Sequence, residues 1–119
     1  MAKTSWTGIS ILPDYYNGTV GATKIVVTAA PTLIQSISVL NATSAEAYLQ
    51  LFDLATGGVT VGTTAPSMVF GVGAEGNPHF LFPKPIYFLT GLVIASTTAR
   101  AGDSAAVQEV NITYATGVA

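Results

Sequence analysis

The sequence predicts an all-β fold: an antiparallel sandwich or barrel of seven or eight short strands in a single domain. Three observations predict it. Turn-forming residues recur at short intervals, the segments between them are rich in Val, Ile, Thr, Tyr and Phe, and no long helical period runs through any of them. The 119 residues suffice for one domain with a real core, and 50% of them are hydrophobic while only 8% are charged. Ordinary globular chains carry about a quarter charged residues, and disorder needs the reverse of this composition, so a disordered chain is excluded.

The turn signals are Pro13-Asp14, Asn17-Gly18, Ala30-Pro31, residues 41–44, Thr56-Gly57-Gly58, residues 73–78, Pro83-Lys84-Pro85 and Gly102-Asp103. Between them, strands are expected over 24–29, 33–40, 46–54, 68–72, 79–82, 86–96 and 107–114, with an eighth over 6–12. In 107–114 the residues Gln108, Val110, Ile112 and Tyr114 alternate with Glu109, Asn111 and Thr113, which assigns the first set to the core. In 33–40 the expected core face is Leu33, Ile37 and Val39, set against Ile34, Ser36, Ser38 and Leu40. The unbroken run Leu92, Val93, Ile94, Ala95 suits a central strand covered on both faces. Residues 45–54 admit two readings. Thr43-Ser44-Ala45-Glu46 matches a helix capping box, whereas the strand reading places Tyr48, Gln50 and Phe52 on one face and Leu49 and Leu51 on the other. The strand fits the neighbouring segments and is preferred. The chain is thus divided into an N-terminal arm over 1–18 and a β-sandwich domain over 19–119.

Composition also bounds function. Without cysteine there is no disulfide framework, thiolate metal site or thiol nucleophile. The four basic residues, Lys3, Lys24, Lys84 and Arg100, are scattered in a chain of net charge −2, so no stripe exists to track phosphates and nucleic acid is not an expected direct partner. The first residues lack the apolar run of a signal peptide, and the longest apolar stretch, 86–95, is half the roughly 20 residues of a spanning helix, so neither export nor a membrane is expected. With a mean hydropathy of +0.54, either Thr, Ser, Ala, Gly and Asn face water in place of charges, or part of the surface faces another protein.

Candidate motifs are few. Gly71-Val72-Gly73-Ala74-Glu75-Gly76 fits the dinucleotide-binding pattern, but Asn77-Pro78 follows where its helix would run, so a glycine-rich loop is the plainer reading. His79 is the sole histidine and would have to serve any Ser–His–Asp site, with Asp14 or Asp103 as the acid; a structural or solvent-facing role is commoner for a lone His. The carboxylates Asp14, Glu46, Asp53, Glu75, Asp103 and Glu109 are widely separated and form no calcium or zinc pattern. No catalytic, cofactor, metal or small-molecule site is therefore expected. Three glycosylation sequons, at Asn17, Asn41 and Asn111, read as accidents of an Asn- and Thr-rich β protein, with Asn17-Gly18 a turn and Asn41 a strand terminator. Trp6, Ile9, Tyr15 and Tyr16, large side chains near the N-terminus, are the candidate interface residues, docked on a partner or tied into the core.

Asn41-Ala42-Thr43, Tyr48-Leu49-Gln50-Leu51-Phe52-Asp53, Val61-Gly62-Thr63-Thr64-Ala65-Pro66 and Phe88-Leu89-Thr90-Gly91-Leu92-Val93-Ile94-Ala95 together resemble small virion structural proteins of tailed bacteriophages. The resemblance spans about residues 33–114, and the first thirty residues do not share it. It implies a jelly-roll-like sandwich, often trimeric, that decorates or cements the outside of a capsid by bridging subunits of the major capsid protein. The chain would then be made in the host cytoplasm and reside on the virion. Two other readings stay open: a tail or baseplate module that binds receptor glycans through an aromatic-lined site, and a small hydrolase built around His79.

Overall fold

The computed structural model describes residues 14–116. Its eight strands are β1 (Asp14–Val20), β2 (Ile25–Thr28), β3 (Thr32–Leu40), β4 (Ala47–Phe52), β5 (Met68–Val72), β6 (His79–Phe88), β7 (Leu92–Thr97) and β8 (Gln108–Thr116). They form two antiparallel four-stranded sheets, ordered β1-β8-β3-β6 and β2-β7-β4-β5. The chain passes from one sheet to the other at every connection except β4–β5, which is the double Greek-key order of a jelly roll. The all-β sandwich expected from the sequence is the observed architecture.

The core lies between the sheets. Ile34, Ile37 and Val39 of β3 and Val110, Ile112 and Tyr114 of β8 meet Leu49 and Leu51 of β4 and Leu92 and Ile94 of β7. Full burial of each aliphatic side chain contributes about 1.5–3 kcal/mol, and together they fix the registers of the central strands. Phe70 of β5 closes one side against Phe80 and Phe82 of β6, with ring centroids 4.7 and 6.3 Å apart.

The inward set in β8 is the expected one, and residues 47–52 are strand rather than helix, with Tyr48, Gln50 and Phe52 on the outer face. Elsewhere the structure corrects the sequence reading. In β3 the register shifts between Ile34 and Ser36, so one residue, Gln35, is absorbed in a bulge. Parity changes there: Ile34 joins Ile37 and Val39 in the core, and Leu33 turns outward. Residues 86–96 are two strands, not one, broken by a turn at Leu89–Gly91. Pro83-Lys84-Pro85 lies within β6, where residues 82–85 stand opposite the single Gln35 and leave the ladder. Proline is tolerated there because β6 is an edge strand.

Asn17-Gly18 is no turn but the middle of β1, paired with β8 from Asp14↔Tyr114 to Val20↔Gln108. Gly18 faces inward, and a side chain on it would meet the Tyr16 hydroxyl. Residues 14–18 therefore belong to the sheet, inside the span assigned to the arm. The strand expected over 6–12, together with Trp6 and Ile9, lies outside the described residues.

Candidate interaction surface

The two sheets differ in what covers their outer faces. On the β2-β7-β4-β5 sheet, Phe52, Val93 and Ala95 point away from the central core yet are fully buried, because the β4–β5 connection folds over them with Val59, Leu54 and Val61. Lys24 Nζ donates to the Val59 carbonyl at 2.5 Å and holds that connection down. The β7–β8 connection covers the rest of the face. Thr98 N–H donates to the Ser104 carbonyl, and Gln50 Nε2 donates to Thr97 Oγ1 at 2.6 Å and to the Gly102 carbonyl at 3.1 Å. All six residues of β7 are consequently buried, as the unbroken run Leu92–Ala95 predicted.

Two side chains tie the loops at opposite ends of the sandwich. Asn41 is fully buried: its Nδ2 donates to the carbonyls of Ala45, Val72 and Gly73 at 2.9–3.1 Å, and its Oδ1 accepts the Thr43 N–H and hydroxyl. Its amide is wholly engaged and not presented as a glycosylation acceptor. At the other end the Asp53 carboxylate accepts the backbone N–H groups of Leu89, Thr90 and Gly91. Gly91 is required there, since a Cβ would stand 2.8 Å from the Thr28 carbonyl oxygen. These residues account for two segments of the sequence resemblance, Asn41-Ala42-Thr43 and the Asp53 that ends the following run.

The outer face of the β1-β8-β3-β6 sheet carries no such cover among the described residues, and cross-strand pairing orders it in rows. Toward the end at which the chain enters β1 stand Ala115–Leu33–Tyr87 and Tyr15–Thr113–Ser36–Leu81; toward the other end stand Asn17–Asn111–Ser38–His79 and Thr19–Glu109–Leu40. Leu81 is 78% exposed, Tyr15 75% and Tyr87 48%. Leu89, in the turn beyond Tyr87, is 64% exposed. None of the paired positions in the first two rows is charged. The face is therefore apolar at its chain-entry end and polar at the other, where Thr19 Oγ1 donates to Glu109 Oε2 at 2.9 Å.

The sequence-predicted residues separate on this frame. Tyr15 lies on the open face, whereas Tyr16 points inward and packs against the core, where burial raises its pKa above the usual 10.0. Burial and then Asp14 raise Tyr114 likewise. His79 is exposed and directly opposite Ser38, but the position across from Ser38 on β8 is Asn111, and Glu109 is engaged with Thr19. Among the described residues no three His, Asp or Glu side chains gather as a metal site would require. The glycine-rich segment 71–76 forms the end of β5 and a loop, with Glu75 at φ 57°, its N–H donated to the Thr43 carbonyl. Leu81, Tyr87 and Leu89 were not singled out in the sequence; the signal available was Leu81 standing alone between Phe80 and Phe82.

No protein-family model matches the chain, and no curated protein matches it. Among solved structures it is similar to a chain in the cryo-EM structure of the virus-like particle of the giant freshwater prawn Macrobrachium rosenbergii extra small virus. The identity is 10% and the TM-score 0.31, over 93% of this chain and 85% of that one.

Proposed function

We propose that this chain is a virion structural protein of the capsid-decoration or cement type, which self-associates and bridges neighbouring major capsid subunits on the outside of an assembled shell. The observation that carries the reading is the contrast between the two outer faces. One sheet is sealed by the chain's own connections, while the other presents Tyr15, Leu33, Leu81 and Tyr87 on uncharged rows. A surface of that composition is suited to burial against protein.

Further support comes from the double Greek-key order, a fold used by viral capsid proteins as well as lectins and cupins, and from the sequence resemblance to tailed-phage virion proteins. The work in this reading is binding, not catalysis. A closed oligomer, a trimer as in the proteins the sequence resembles, offers identical contacts to several capsid subunits and gains avidity from them. It thereby holds the seams of the shell against the pressure of packaged DNA without touching the DNA. The chain is made in the host cytoplasm and ends on the virion surface.

The test uses particles made from the genome that encodes the chain. They should carry it on the outside in fixed proportion to the major capsid protein, and particles made without it should release DNA at a lower temperature. Purified particles devoid of the chain would contradict the reading.

A further inference from the structure

We propose that residues 1–13 of one copy dock on the apolar end of the open sheet of a second copy, so that the oligomer is held by exchanged N-terminal arms. The face that receives the arm is the pair of rows around Leu33, Tyr87, Tyr15 and Leu81. The segment that fills it carries Trp6, Ile9, Ile11 and Leu12, with Lys3 its single charged side chain. The arm's apolar side chains would lie over paired positions that carry no charge, with Lys84, exposed in the 82–85 bulge, keeping its ammonium in water.

Position and length make the pairing feasible. The chain enters β1 at Asp14, whose partner Tyr114 pairs with Ile34, so residue 13 precedes the strand at the same end of the sheet as the Ala115–Leu33–Tyr87 row. Thirteen extended residues reach about 43 Å, whereas the sheet from β1 to β6 is only about 14 Å wide. Reach therefore does not limit docking on a neighbouring molecule.

The direction of entry favours the second copy over the arm's own sheet. Proline fixes its own φ and disfavours helical geometry in the residue before it, so the sequence Leu12-Pro13 favours an extended lead into β1, as an exchanged arm requires. The first glycine upstream is Gly8. A reversal at Gly8 would return only Trp6 to the arm's own sheet, whereas docking on a neighbour would engage all four. Exchange of identical elements about a closed symmetry axis is a low-cost route to an oligomer.

The chain has no cysteine, which allows a clean test on the full-length protein. Ile9→Cys and Leu81→Cys chains are mixed and treated with a short bismaleimide; each has one thiol, so every cross-link joins two molecules. Tyr87→Cys is a second acceptor, and Glu109→Cys, exposed on the polar end of the same face, is the control. Exchange predicts an Ile9–Leu81 or Ile9–Tyr87 linked dimer in several-fold excess over Ile9–Glu109. Equal yields at all three positions overturn it. So does a doubly substituted Ile9→Cys/Leu81→Cys chain that links within itself while the mixture does not, since the arm then lies on its own sheet. This experiment needs no capsid, so its failure is distinct from absence of the chain in purified particles, which bears on the decoration reading alone.

Discussion

Asp53 Oδ1 accepts the Thr90 backbone N–H at 2.8 Å, joining the end of β4 to the β6–β7 turn 37 residues away. The same carboxylate takes the N–H groups of Leu89 and Gly91, so one side chain satisfies three donors of a turn that has no other regular structure. Asp53→Ala should lower unfolding stability by about 2 kcal/mol, the scale of charge-assisted hydrogen bonds at a partly exposed site. Asp53→Asn, which keeps one acceptor oxygen, should lose less. Urea unfolding checks both, and an unchanged midpoint for the alanine variant would sink the anchoring role.

Asn41 presents its amide nitrogen to three carbonyl oxygens. Asn41→Asp replaces that donor with a carboxylate facing the same oxygens, so it should be worse than Asn41→Ala, itself a loss of about 3 kcal/mol for stranded buried groups. The aspartate in this variant is stabler protonated in the folded state than in the unfolded one. Its folded pKa therefore rises, so the variant should lose stability as pH rises through that folded value and regain it as pH falls back toward the unfolded aspartate value of about 3.9. Thermal melts between acid and neutral pH read the sign.

Val93 is fully buried on the outer side of β7 beneath the β4–β5 connection. Val93→Ala should cost about 2 kcal/mol, and Val93→Asp several more, because a charge is left without a partner under that cover. A melting temperature unchanged in the aspartate variant would show that the connection does not seal the face.

Tyr48 donates its hydroxyl to Glu46 Oε1 at 2.5 Å, and Arg100 lies 5.9 Å from the ring centroid. The bond to Glu46, then burial, raise the phenol pKa, against a smaller lowering by Arg100. The folded pKa exceeds the unfolded value near 10.0, so this contribution to stability is intact below pH 10 and is lost as pH rises through the folded value. Glu46→Gln should shift one tyrosine of the spectrophotometric titration to lower pH. A curve identical to that of the parent chain would refute the assignment.

Much of the fold was legible because strand alternation and burial agree. β8 and β4 read correctly since each keeps one parity from end to end, and β7 since both of its faces are apolar. Failures occurred where distant residues act. The Gln35 bulge reverses parity within β3 with no local mark, and the break at Leu89–Gly91 is set by Asp53, far away in sequence. Asn17-Gly18 looked like a turn because its glycine answers a different need, space beneath Tyr16. At the surface, Tyr15 and Tyr16 were grouped as neighbours in sequence, but a strand sends them to opposite faces. Leu81 and Tyr87 became a patch only when the pairing of β6 with β3 brought Tyr87 beside Leu33 and Leu81 into line with Tyr15.

Native mass from light scattering after size exclusion reads whether the uncharged rows of the β1-β8-β3-β6 sheet form a protein interface. The parent chain should run as an oligomer, at three times its 12.2 kDa for the trimer. Leu81→Asp with Tyr87→Asp should reduce it to a monomer that still folds, since both side chains are exposed within one chain, and should remove the concentration dependence of the parent's unfolding midpoint. A parent chain that is monomeric at high concentration, or an oligomer indifferent to both substitutions, would contradict the account.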